Sequence, residues 1–254
     1  MNQIVEQLHA KILIDYPYYY CIVFEKNKNQ SDFLWKETVH NAEKLLQGSH
    51  IFFDNKKAYL LVGKKEYLYF DEQEETNWIQ FMESHKLHAG FSYLFSDLSK
   101  TNLQFAHAQQ AVKLGNLYQK ERFCWYYSEL MILEIIESAA INQNLVRFCD
   151  PRFIQLVFYD ESHQSDFVRS LEQIIRYTGD SAVVANKLFI HRNTLYYRVQ
   201  HLENIFHIDL RNQGDFFTIR ISIGILLYYA KGDFSKEAFS KILHENGYSA
   251  SSIK

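Results

Sequence analysis

Apolar positions along the chain change period, and the changes divide it. Residues 3–14 carry Ile4, Val5, Leu8, Ile12 and Leu13 on one stripe, which predicts a helix stopping ahead of Pro17. YYYCIVFE at 18–25 is a β-branched and aromatic run, the pattern of a buried strand, and KNKNQ follows as a polar turn. Asp32 is placed to cap a helix through Leu46, with Gly48 as its stop. HIFF at 50–53 and AYLLVG at 58–63, separated by DNKK, predict a hairpin, and EYLYF at 66–70 predicts a third strand extending it. A helix over residues 72–85, a strand in LHAGFSYLF, a helix after Ser99 and a last strand in RFCWYY complete this part. Ala106, Ala108 and Ala111 let the helix after Ser99 sit close on a sheet. The order predicts an α/β sandwich, helices on a mostly antiparallel sheet.

From Ser128 the strand signals stop. SELMILEIIESAAINQNLVRFC has helical period, with Leu130, Leu133, Ile136 and Ala140 on one side, and predicts a helical connector over residues 128–152. Short helices follow from Phe167, so the fold class is α+β: a sandwich, then an all-α domain. Asp180 and Ser181 can cap a helix over residues 181–189, and NKLFIHRN has no proline or glycine, so the turn after it must be tight. Two short helices with a tight turn predict a helix-turn-helix. On the second helix Leu195, Val199, Leu202 and Phe206 recur at helical spacing and fix the buried stripe. Asn193, Tyr197, Gln200 and Asn204 then face outward, flanked by Thr194, Tyr196 and His201. His191 and Arg192 lie in the first turn and project past its end, because helical side chains lean toward the N-terminus.

Charge sharpens this picture. The 254-residue chain has net charge −3, so any attraction to nucleic acid must be local, yet no acid occurs between Lys187 and His201. Arg192 is the candidate for a bidentate contact to guanine, with Asn193 and Thr194 reading neighbouring base edges. Lys187, Arg198 and His201 are candidates for phosphate contacts, although Arg198 is equally placed to pair with an acid such as Glu203. Tyr196 and Tyr197 suit groove contact or packing. Cys21, Cys124 and Cys149 are far apart, without a CxxC pair, which suits buried reduced thiols. No signal-peptide pattern opens the sequence and no eighteen apolar residues run together, so the protein is expected in the cytoplasm, away from the membrane. His85 and His88 lack a third ligand, so no metal site is expected. A cleft lined by Tyr67, Tyr69 and Trp78 is a candidate ligand site.

The stretch LFIHRNTLYYRVQHLENIFHIDL resembles the C-terminal signature of PucR/CdaR-type bacterial transcription regulators, and the resemblance covers roughly residues 153–230. It implies a regulator that binds double-stranded DNA, and because a single such helix contacts too little DNA for useful specificity a homodimer is expected. No enzymatic activity or cofactor is expected, and an effector or partner protein is left open by the sequence. Two departures stand out. The family usually has arginine where this chain has Tyr196, and often glycine at Phe206 or His207. The resemblance also implies that the first domain is similar to a degenerate GGDEF domain. FDNKKAY stands at the hairpin turn, with lysines where metal-binding carboxylates would be, which implies no synthase activity. The expected organisation is an N-terminal helix (1–17), a GGDEF-like domain (18–127), a connector (128–152), a helix-turn-helix domain (153–232) and a tail (233–254). The competing expectation is a small-molecule or nucleotide sensor whose GGDEF-like domain does the work.

Overall fold

The computed structural model describes residues 16–26, 31–54, 56–177 and 180–250; the helix expected before Pro17 lies outside them. The chain divides into two compact units between Glu134 and Ile135. The first contains β1 (Tyr18–Glu25), α1 (Asp32–Lys44), β2 (Ser49–Asp54), β3 (Lys57–Lys64), α2 (Glu72–His85), β4 (Ala89–Phe91), α3 (Thr101–Tyr118) and β5 (Cys124–Tyr126). One sheet runs in the order β2-β3-β1-β4-β5, antiparallel except where β5 joins β4.

Strand β1 is buried along its six central residues, as an apolar run must be when both faces are covered. Tyr20, Ile22 and Phe24 pack with Trp35 and Val39 of α1 and with Trp78 and Met82 of α2. Helix α3 covers the other face, where Phe105 meets the Tyr59 ring at 5.5 Å. That approach is close because Gly90 and Gly115 have no side chains. A β-carbon on Gly90 would stand 2.2 Å from the Ala108 carbonyl oxygen, and one on Gly115 would stand 2.1 Å from the Trp125 ring.

Several expectations change here. Ser31, not Asp32, caps α1, its side chain accepting from the Leu34 amide at 3.3 Å, and the helix ends at Lys44 rather than Leu46. EYLYF is not a strand. Tyr69 and Phe70 are neighbours in sequence yet both turn into the same aromatic cluster, which the alternation of a strand forbids. The Tyr69 hydroxyl donates to the Ser92 carbonyl at 2.7 Å. Trp78 is 1% exposed and packs between Phe24, Phe70 and Phe91, and Tyr69 packs on the same core, whereas Tyr67 is 67% exposed, so the three do not line the expected cleft. Burial pushes the Cys124 thiol up to about 11 and the Cys149 thiol up to about 12.

Helix α4 (Tyr127–Ala140) spans the division between the units. The second unit continues with α5 (Pro151–His163), α6 (Phe167–Arg176), α7 (Ser181–Leu188), α8 (Arg192–Phe206), α9 (Gln213–Tyr229) and α10 (Lys236–Glu245). Residues 145–152 belong to this unit rather than to a linker. The Leu145 amide donates to the Tyr229 hydroxyl at 3.0 Å, and the Asp150 amide donates to Ser222 Oγ at 2.8 Å. Within the expected tail, α10 buries Phe239 and Leu243 against α5, and Ser240 Oγ donates to Glu161 at 2.6 Å. Helix α9 is buried within its own unit through Ile219, Ile223 and Leu226. Among the described residues no helix is long and apolar enough to cross a membrane.

Candidate nucleic-acid interface

Helices α7 and α8 form a helix-turn-helix, and local chemistry sets each end. Asp180 caps α7 by accepting from the Ala182 and Val183 amides at 3.0 and 3.2 Å. The helix closes on Phe189 in the left-handed region (φ 54°), whose N–H donates to Asn186 O while the Ile190 N–H donates to Ala185 O. His191 then caps α8, its Nδ1 accepting from the Asn193 amide at 3.2 Å. Only Phe189, Ile190 and His191 separate the helices. Beneath the turn Val184, Ala185 and Leu195 are buried together, with Ile174, Tyr177, Leu188 and Ile190 packed on them.

The outer surface carries most of the residues expected from sequence. Lys187, His191, Arg192, Asn193, Thr194, Tyr196 and Tyr197 are all exposed. Lys187 Nζ lies 5.9 Å from the centre of the Tyr177 ring, while Arg192 makes no hydrogen bond or ion pair among the described residues. No aspartate or glutamate occurs over residues 181–202, and Glu203, the first beyond, is paired with Arg211 at 2.9 Å. The first-turn amides of α8 and its dipole add to this positive rim. Tyr196 Oη accepts from Gln200 Nε2 at 3.0 Å, which braces the ring. His207 adopts φ 55° and ends α8 with the Ile208 N–H donating to Leu202 O.

Two expected phosphate contacts are placed otherwise. His201 is half-buried, its ring stacked on Phe167 at 4.6 Å and close to Tyr159 and Phe206, so it packs α8 against α5 and α6. Arg198 donates to Ser170 Oγ at 2.7 Å and toward the Asp166 carbonyl, which ties α8 to the start of α6 rather than to Glu203. Val199, expected in the buried stripe, is only half-buried. Sequence reasoning passed over Phe189, which is 92% exposed at the turn. A turn with neither glycine nor proline was the available signal, since some residue with a side chain had to take the left-handed conformation. Among the described residues no group of three His, Cys, Asp or Glu side chains is placed to hold a metal ion.

Residues 167–225 match the family described as PucR C-terminal helix-turn-helix domain. The chain is 27% identical over 134 residues to the DNA-binding transcriptional activator AdeR of Bacillus subtilis (strain 168), a match covering 52% of this chain and 32% of AdeR. It is 23% identical over 125 residues to the proline-responsive transcriptional activator PutR of the same organism, covering 49% of this chain and 30% of PutR. The matched stretch thus spans about a third of either relative. Among solved structures, that of a regulator of polyketide synthase expression from Bifidobacterium adolescentis aligns over 89% of this chain and 90% of its own, at 14% identity. Its TM-score of 0.36 is too low to equate the two folds.

Proposed function

We propose that this chain is a cytoplasmic, non-enzymatic DNA-binding transcription regulator that sets the N-terminal turn of α8 in the major groove of a specific duplex. The observation that carries the reading is the acid-free rim of Lys187, His191, Arg192, Asn193 and Thr194, exposed on a helix-turn-helix within a region matching a DNA-binding family. The exposed Arg192 supplies the fork for guanine in this reading, with its exposed neighbours Asn193 and Thr194 reading adjacent base edges. Lys187 supplies a phosphate contact. One such helix covers too little DNA for useful specificity, so two copies bind half-sites about one helical turn apart. The first unit acts as a degenerate GGDEF-like module without cofactor; what supports this is its strand, helix, hairpin order and the lysines Lys56 and Lys57 at the hairpin. An effector or partner protein acting on that unit is compatible with the reading.

The test is binding to duplexes recovered by selection from a random-sequence pool. Affinity is expected to fall linearly with the logarithm of salt concentration, with a slope of about −0.9 for each phosphate neutralised. Failure to enrich any sequence, or binding indifferent to salt, overturns the proposal. In the same titration Arg192→Ala is expected to cost about 1 to 3 kcal/mol on the selected sequence and to relax preference at one base pair. An equal loss on all sequences would make Arg192 a phosphate contact instead.

A further inference from the structure

Among the described residues the Phe189 side chain joins no buried cluster. Its backbone closes α7 in the left-handed conformation, a position that glycine takes without strain and that disfavours a bulky residue. Its ring is 92% exposed, and among the described residues no aromatic or cationic group meets it. The residues on either side point the other way: Leu188 and Ile190 pack on the buried cluster of Val184, Ala185 and Leu195. The alternation therefore drives Phe189 outward from the turn, between Lys187 and the His191–Arg192 corner, three residues of backbone from Arg192 and within about 11 Å of it along the chain. A large apolar ring held in strained backbone at the centre of a basic rim is suited to an apolar feature of whatever that rim binds.

Accepting the reading of this surface as a major-groove binder, we infer that Phe189 is a specificity-determining residue that packs on the 5-methyl group of a thymine flanking the bases read by Arg192 and Asn193. The thymine methyl is the one apolar group on a base edge in that groove, and phenylalanine is among the side chains that contact it. Lys187 on one side and Arg192 on the other hold the flanking phosphate and base, so the ring covers the methyl without inserting into the stack.

The experiment uses the full chain, its Phe189→Gly and Phe189→Asn variants, and duplexes selected by the wild type, made with thymine or with deoxyuridine in its place. Both substitutions suit the left-handed backbone, so the helix-turn-helix is retained, which far-UV ellipticity verifies. Wild type is expected to lose about three- to fivefold in affinity at one deoxyuridine position, the worth of a single buried methyl. Both variants are expected to bind the thymine duplex about tenfold more weakly and to be blind to the exchange at that position. Variants that bind as wild type does, or that keep its sensitivity to deoxyuridine, overturn the inference. Failure of the wild type to select any duplex overturns the regulator reading itself, so the two outcomes are separable.

Discussion

Asp160→Ala is expected to destabilise the helical unit by about 3 kcal/mol, the largest single-residue effect foreseen in the scaffold of the helix-turn-helix. Asp160 is 1% exposed, and it lies on α5 although its carboxylate serves α6. Oδ1 accepts from the Phe167 amide at 3.0 Å and from Ser165 Oγ at 2.6 Å, and Oδ2 accepts from the Val168 amide at 2.7 Å. Asp166, the residue in the capping position of α6, makes no side-chain cap, so Asp160 does that work from the preceding helix. Alanine would leave two helix N-terminal amides in a dry environment and remove a charge that their dipole favours. Because Phe167 is also the ring on which His201 of α8 stacks, the seating of α8 loosens with it. The measurement is urea unfolding followed by ellipticity at 222 nm. Trp35, Trp78 and Trp125 all lie in the first unit, so tryptophan fluorescence follows that unit separately. A change below about 1 kcal/mol in the ellipticity transition would show that other groups satisfy these amides.

The second large effect is expected at Arg152. Its Nε and Nη2 donate to Asp150 at 3.0 and 2.7 Å, Nη2 also reaches Asp215 at 2.9 Å, and Nη1 donates to the His207 carbonyl at the end of α8 at 2.7 Å. Asp215 in turn accepts from the Asp209 amide, so one guanidinium joins α5, α9 and the loop between α8 and α9. Burial pushes the Asp150 carboxyl up, but the Arg152 hydrogen bonds more than offset this and hold it below its ordinary value. Asp215 is held low chiefly by its hydrogen bond to Arg152. Truncating one member of such a cluster leaves the other charges uncompensated. Arg152→Leu is therefore expected to cost about 2 kcal/mol at pH 7, at the low end because the arginine side chain stays 32% exposed.

The pH dependence follows from those directions. A carboxyl with a depressed folded pKa stabilises the fold fully above its unfolded pKa of about 4 and loses that contribution as pH falls through the folded value. The wild-type helical unit should lose stability on acidification below about pH 4, and the gap between wild type and Arg152→Leu should close over the same window. Thermal melts at pH 7 and pH 3 measure it. An unchanged gap would mean that Arg152 acts through packing alone.

Much of this was legible in the residues. The six-residue buried core of β1, the hairpin, the helix over residues 72–85 and the two short helices around NKLFIHRN all follow from local period and caps, because each depends on neighbours within one turn or one strand pair. The exposed rim was legible for the same reason: the stripe of Leu195, Leu202 and Phe206 fixes which face of α8 is inward and leaves Arg192, Asn193 and Thr194 outside.

What tertiary structure alone decided lies at the edges of those faces. Arg198 and His201 lie beside the apolar stripe of α8, and periodicity alone leaves both as phosphate candidates like Lys187. Ser170 and Phe167 of α6 take Arg198 and His201 into the packing, while Arg192 has no partner among the described residues. Asp160 capping a helix other than its own, α10 closing over α5, and Tyr69 and Phe70 leaving strand geometry have the same origin. Periodicity gives the angular position of a side chain about its own axis. It is silent about which neighbour arrives at that angle, and that neighbour determines whether a polar group is spent inside the fold or left for a partner.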